Sequence, residues 1–505
     1  MKKFLKIAAL ALVFLPQVFS LTSCSSTPDV PTSYQQENRL PHITPDYTDV
    51  IIPSNIAPMN FAVQEGTETV VARFTSAAGE FTYGDGNKVM IDEEDWKKML
   101  EASKGGSIKV DVFAEINGQW KAFKSFNYNV AADPIDEYMS YRLIQPSYVA
   151  YEKLIIAQRN LTNFDEEVIY DNMLVSTEKD GQCINCHSYQ NYRTDRMQFH
   201  MRQALGGTMI VDNGNIEKVN LKTDSTISAG VYPAWHPTLN LIAYSTNSTG
   251  QSFHTKDKAK IEVQDTKSDL ILYDVEKNSV VTIANDSNEL EVFPTWTPDG
   301  KTLYFCSAHF EYKNDSIAQE TEMIQRYKEC RYSLYKMAFD EKTHKFGPRE
   351  LVYDAAHDSL SVTLPRVSPD GRYVYFALGQ FGCFHIWHPD ADIYALDTKT
   401  NTLTNLEAVN SDRAESYPVI SSNGRWLMFE SRRDDGNYTR PYIAYVDKNG
   451  KAHKAFELPQ KDPNFYTFFL RSYNRPEFTI EPVKQTPQQF AEAAKKDAKP
   501  ATYSK

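Results

Sequence analysis

Two cysteines three positions apart, followed at once by a histidine, form the string Cys183-Ile184-Asn185-Cys186-His187. Two thiols at that spacing can each add to a vinyl group of one haem, and the adjoining imidazole is placed to ligate its iron. The chemistry expected is covalent attachment of one c-type haem at Cys183 and Cys186, with His187 as proximal iron ligand. A thioredoxin-like redox disulfide would want a βαβ setting, and half of a zinc site a second Cys or His pair nearby; the sequence around the motif offers neither. A sixth iron ligand is sought just downstream, where Met197, His200 and Met201 would share one face of a helix. Methionine there gives a higher potential than a second histidine. Met197 is the first choice, His200 the alternative and Met209 the third. An open, five-coordinate iron is the remaining option.

Haem attachment of this kind takes place outside the cytoplasm, and the start of the chain agrees. Lys2, Lys3 and Lys6 precede an apolar stretch too short to span a bilayer. It ends in Leu21-Thr22-Ser23-Cys24, which resembles the lipobox of bacterial lipoproteins; that resemblance implies a signal peptide over 1–23, lipidation of Cys24 and a polar linker over 24–45. No later segment has the apolar length of a membrane span. The chain is expected in the cell envelope, lipid-anchored, at the outer membrane and facing the periplasm or the cell surface.

A length of 505 residues calls for more than one domain. Thirty Tyr and 27 Phe favour a β-rich exported protein with ample core material. The net charge of −12 excludes nucleic acid as a partner and disfavours anionic lipid head groups. The expected partner is a redox protein or membrane complex. Once Cys24, Cys183 and Cys186 are assigned, Cys306, Cys330 and Cys383 remain. Three cannot all pair within one chain, and a Cys306–Cys330 disulfide and three buried thiols both stay open.

A repeat organises the second half. YPAWHPTLNLIAYSTN, FPTWTPDGKTLYFCSA, LPRVSPDGRYVYFALG and YPVISSNGRWLMFESR align without gaps on Pro233, Pro294, Pro365 and Pro418. Each reads as a strand, a Pro-Asp-Gly-like turn and a second strand. A further hairpin recurs downstream: Asp269 and Asp274 match Asp392 and Asp397. Four strands per unit fit propeller blades. The S-P-D-G-[KR] core resembles the WD40-like repeats of TolB-type β-propellers, clearest in the second and third units. With the lipobox and the C-x-x-C-H motif, the chain resembles TolB-like or cytochrome-like envelope lipoproteins common in Bacteroidetes, and RSYNRPEF at 471–478 resembles that group too. The resemblance implies architecture more than activity.

The fold class expected is mainly β: a β-sandwich-like domain over 46–132, a small helical haem-binding segment over 133–205, a propeller of five or six blades over 206–480, and a polar tail over 481–505 for which disorder is expected, with a short helix as the alternative. Within the first domain, DEEDWKKMLEAS reads as a short amphipathic helix and Asn117-Gly118 as a hairpin turn. A second constellation, Cys383, His385, His388, Asp390 and Asp392, offers metal-ligand types at poor spacing. His254 and His309 occupy equivalent connections of other blades, so these histidines are expected to gather on one rim of the propeller. There is no G-x-S-x-G, H-E-x-x-H or P-loop. Three functions follow: electron transfer with the propeller as docking platform, a binding or scaffold module for a protein or glycan with a structural or sensory haem, and a haem-dependent oxidoreductase.

Overall fold

The computed structural model describes residues 28–67, 69–145, 153–177 and 181–504. The signal stretch and Cys24 lie outside them. The chain is mainly β. Six four-stranded units stand around a common axis as a propeller, each inner strand neighbouring the next. The four proline-marked repeats supply the inner strands of blades 3 to 6: Val231–Trp235, Glu289–Trp296, Ser361–Val367 and Glu415–Ile420. Each runs through its turn into an antiparallel partner.

Blade 2 is built from Gln182–Gln190, Arg193–Gln203, Gly207–Asp212 and Asn215–Asn220. Blade 1 is composite. Its outer strands are Tyr138–Ile144, Ile155–Asn160 and Glu166–Asp171, and its inner strand is Ser472–Thr479 from the far end of the chain. That antiparallel pairing of 138–144 with 472–479 closes the ring.

Among the described residues, the helical segment expected over 133–205 is not formed. The haem motif and the run after it are two paired strands, Gln182–Gln190 and Arg193–Gln203. The physical reason lies in burial. Both faces of a blade are covered by neighbouring blades, so Met197, Phe199 and Met201 on one face and Gln198 and His200 on the other are all buried. The period of two is then muted, and the i, i+3, i+4 coincidence of Met197, His200 and Met201 mimics a helix. The start expected for the propeller, residue 206, falls instead inside blade 2, whose outer hairpin is Gly207–Asp212 and Asn215–Asn220.

The tail is ordered and forms the short helix that was the alternative to disorder. Thr486 caps the helix Pro487–Ala494 in a capping box with Gln489. Phe490, fully buried, meets the rings of Tyr170 and Phe199 and so bridges blades 1 and 2. Lys499–Pro500 and Thr502–Tyr503 then add parallel edge strands to blades 2 and 3.

Residues 35–130 form the separate β domain: a seven-stranded sheet, a three-stranded sheet and the helix Glu93–Ala102. Asp92 caps that helix, and Trp96, Met99 and Leu100 are its buried side, as the sequence pattern requires. Its core is continuous with Trp426, Met428 and Ile443 of blade 6 and Tyr141 of blade 1, so the domain is seated on the propeller's closure.

Candidate functional site

One position in every inner strand has the backbone at positive φ: Cys186 (59°), Tyr232 (49°), Phe293 (55°), Leu364 (56°), Tyr417 (49°) and Arg475 (53°). The ladder slips at each of these places, so the six strands carry the same bulge. In five blades the next residue is proline: Pro233, Pro294, Pro365, Pro418 and Pro476. Proline is tolerated where the bulge has already interrupted the ladder. In blade 2 the next residue is His187. The Cys186-His187 pair therefore stands where the other blades place an X-Pro bulge.

These bulges constrict the central channel. Tyr232, Phe293, Leu364, Tyr417 and Arg475 line a narrow space of about 30 Å³ with Pro233 and Arg366. Above it the channel widens to a mouth of about 620 Å³, lined by residues of all six blades, among them Tyr189, Trp235, Trp296, Arg366, Ile420 and Phe478. Pro233 and Arg366 border both spaces, so the mouth leads to the constriction.

His187 is completely buried, and neither ring nitrogen has a hydrogen-bond partner; the Ser140 main chain approaches without meeting hydrogen-bond geometry. Burial, followed by the charges of Arg475 and Arg142, holds the imidazole well below its ordinary value. It is therefore neutral, the form that ligates metals. Cys183 and Cys186 are 3% and 2% exposed. Arg202 Nη2 lies 3.4 Å from Cys183 Sγ as donor, and Gln198 Nε2 donates to the Cys186 carbonyl. Cys186 lies near Arg475, Tyr417 and Tyr232 of the constriction but is not itself among the residues that line it.

A polar cluster that sequence reading missed surrounds the motif. Arg142, 4% exposed, donates from Nη1 to the Ile184 carbonyl at 2.9 Å, while its Nε has no partner. Arg475, 5% exposed, donates its main-chain N–H to Glu430, and its Nε is 3.4 Å from Glu477 Oε1. The same Glu477 pairs with Arg366. Burial pushes the Glu430 carboxyl up to about 8. The signal for Arg475 was available: Arg475-Pro476-Glu477-Phe478 continues the X-Pro repeat into a sixth strand. Arg142 carried none.

The proposed sixth ligands do not gather as expected. On the strand Arg193–Gln203, Met197 and Met201 take one face and His200 the other. Met197 and Met209 are packed in the core shared with blade 1, beside Phe199. His200 Nδ1 is 3.2 Å from Thr208 Oγ1, and burial pushes its imidazole down to about 3.

On the opposite rim, three of the four expected histidines meet in one chain of rings. His254 stacks on Tyr327, Tyr327 abuts Phe381, and Phe381 abuts His388, with His385 next to it. His309 instead pairs with Glu289. His388 Nε2 is 2.7 Å from Glu262, a contact between blades 5 and 3. Asp390 accepts from the Gln380 N–H and Asp392 from Asn405. Among the described residues, no three His, Cys, Asp or Glu side chains are arranged to hold a metal ion. Cys306, Cys330 and Cys383 are buried free thiols.

No family model matches the chain, and no curated protein sequence matches it. Among solved structures, TolB from Acinetobacter baumannii is similar over 76% of this chain and 85% of its own, at 12% identity and a TM-score of 0.41. An oligogalacturonate lyase in complex with manganese covers 64% of this chain and 73% of its own, at 10% identity and a TM-score of 0.36. Prolyl oligopeptidase B from Galerina marginata covers 76% and 52%, at 10% identity and a TM-score of 0.37. The propeller assignment rests on the strand pairing itself. Among the described residues, no helix is long and apolar enough to cross a membrane.

Proposed function

We propose that this chain is a lipid-anchored protein of the cell envelope that carries one c-type haem at the propeller channel and transfers single electrons to a docked redox partner. One observation carries the reading. A fully buried imidazole with two unpartnered nitrogens stands where five sister strands place a proline. Buried polar groups without partners are rare in folded proteins, and an absent ligand is one of the few physical reasons for them. The donor set fits the group: two thiols at attachment spacing and a neutral imidazole beside them.

When bound, the haem supplies a one-electron couple. The chain's own residues supply the rest. His187 presents a nitrogen that no internal hydrogen bond competes for. The constriction ring of Tyr232, Phe293, Leu364 and Tyr417 keeps water from the interior side, and the mouth above it gives a partner its approach. The strand that carries the motif is largely buried, and His187 lies near Ser140 and Arg142 of blade 1. For both thiols to reach a haem, residues 183–187 would have to leave this strand geometry.

An absorption spectrum of the exported protein, oxidised and reduced, with and without carbon monoxide, tests the reading. A c-type spectrum that carbon monoxide leaves unchanged supports a six-coordinate electron carrier. A spectrum that shifts moves the assignment to an oxidoreductase with an open iron. The second reading, a binding module for a protein or glycan, draws on the 620 Å³ mouth, whose size lies within the range of ligand sites. It stands alone if no haem is found.

A further inference from the structure

Two of the three thiols outside the haem motif stand together on the rim opposite the mouth. Cys330 leads into the strand Ser333–Asp340 of blade 4, and Cys383 lies in the connection between Tyr373–Gly379 and Asp392–Asp397 of blade 5. The two segments touch through their backbones, since the Gly382 N–H donates to the Cys330 carbonyl at 2.9 Å. Ser361 Oγ fastens the same place, donating to the Gly382 carbonyl at 2.7 Å and accepting from the Tyr332 N–H at 2.9 Å. Both cysteines line one cavity of about 10 Å³, no larger than the space one water needs. They are 5% and 3% exposed. The Tyr332 side chain lies beside both thiols, and Cys383 also senses Cys330 itself. Cys383 Sγ otherwise makes long, weak contacts, 3.5 Å from the Val263 carbonyl and 3.8 Å from Asp265 Oδ2. Cys306 stands apart on the strand Thr302–His309, where burial alone raises its thiol.

We propose that Cys330 and Cys383 form a disulfide that bridges blades 4 and 5 once the chain meets an oxidising compartment, a setting that rests on the envelope reading. A disulfide needs its two Cα atoms within about 7 Å, and segments joined by a backbone hydrogen bond are in that kind of contact. One thiolate attacks the S–S bond of a disulfide oxidant to give a mixed disulfide, and the second displaces the oxidant's remaining half. The pair gives up two protons and two electrons, which the oxidant takes up as two thiols. In the folded chain burial pushes Cys330 up to about 12 and raises Cys383 as well, so both are protonated there. The bond therefore forms while these connections are still open, and closure of the rim then shields it from reductants. It closes a loop that contains the inner strand of blade 5, and so restricts the unfolded chain.

The test is differential alkylation of the unmutated chain, produced in cells with its signal sequence. Free thiols are blocked with iodoacetamide while the protein unfolds without reductant. The protein is then reduced, labelled with N-ethylmaleimide, digested and weighed. The expected result is maleimide on Cys330 and Cys383, iodoacetamide on Cys306, and a cross-linked Cys330–Cys383 peptide in an unreduced digest. A second sample of the same chain, fully reduced and then refolded in a glutathione redox buffer, separates the pairing from the compartment. A cross-link that forms on refolding but is missing from the cell-made protein supports the pairing and sinks the envelope reading. Absence of the cross-link from both samples, or a bond from either cysteine to Cys183, Cys186 or Cys306, overturns the pairing.

Discussion

His187 of blade 2 and Pro233 of blade 3 occupy the same place, each following a residue of positive φ in the bulge of its inner strand. The Cys186-His187 pair is thus part of an altered blade repeat, and the channel axis lies beside it. Several consequences of that equivalence and of the surrounding packing can be measured.

If the position is structurally a proline site, His187→Pro should fold. The expected melting temperature lies within a few degrees of the parent, since five sister bulges already carry proline. Iron ligation should nevertheless be lost, seen as a changed spin state in the loaded protein. A variant that fails to fold would show that blade 2 needs the imidazole for packing.

The C-terminal helix is predicted to fasten blades 1 and 2. Phe490→Ala removes a fully buried ring from between Tyr170 and Phe199. The cost should be about 3–5 kcal/mol by chemical denaturation, in line with other large-to-small core changes. A loss under about 1 kcal/mol would mean that the helix is dispensable.

Glu430 should make the fold sensitive to alkali. Its folded value, about 8, is raised above the ordinary 4.5, so the native state holds the proton more tightly than the unfolded chain. That contribution is complete below about pH 4.5 and is lost as pH rises to about 8, at no more than about 1.4 kcal/mol per pH unit. Arg475 through its N–H, together with Arg432 and Arg142, pulls the other way and reduces the slope. Between pH 5 and 8 the parent should lose stability relative to Glu430→Gln. A constant difference across that range would contradict the assignment.

Much of this architecture is legible in the sequence, for a specific reason. A blade repeats one strand–turn–strand unit, so Pro233, Pro294, Pro365 and Pro418 mark four inner strands by simple alignment, and Arg475-Pro476 extends the series once the ring is known. Blades 1 and 2 escaped for different reasons. Blade 2 has histidine for proline, and blade 1 takes its inner strand from more than 300 residues away, across the antiparallel pairing of Tyr138 with Thr479. Cys183, Cys186 and His187 are singled out by their spacing alone. Their surroundings are not: Arg142 and Glu430 reach the motif through pairings that no local pattern encodes, and the helix expected around Met197 and His200 was misjudged because a strand buried on both faces imitates helical spacing.

The central claim is tested most directly by intact mass under denaturing conditions. The exported protein should be produced alongside the haem-attachment machinery, together with a Cys183→Ser, Cys186→Ser form. The account predicts that the parent retains the mass of one haem after unfolding and that the double variant retains none. A parent chain that unfolds to its bare polypeptide mass would contradict it and leave a propeller whose mouth serves binding alone.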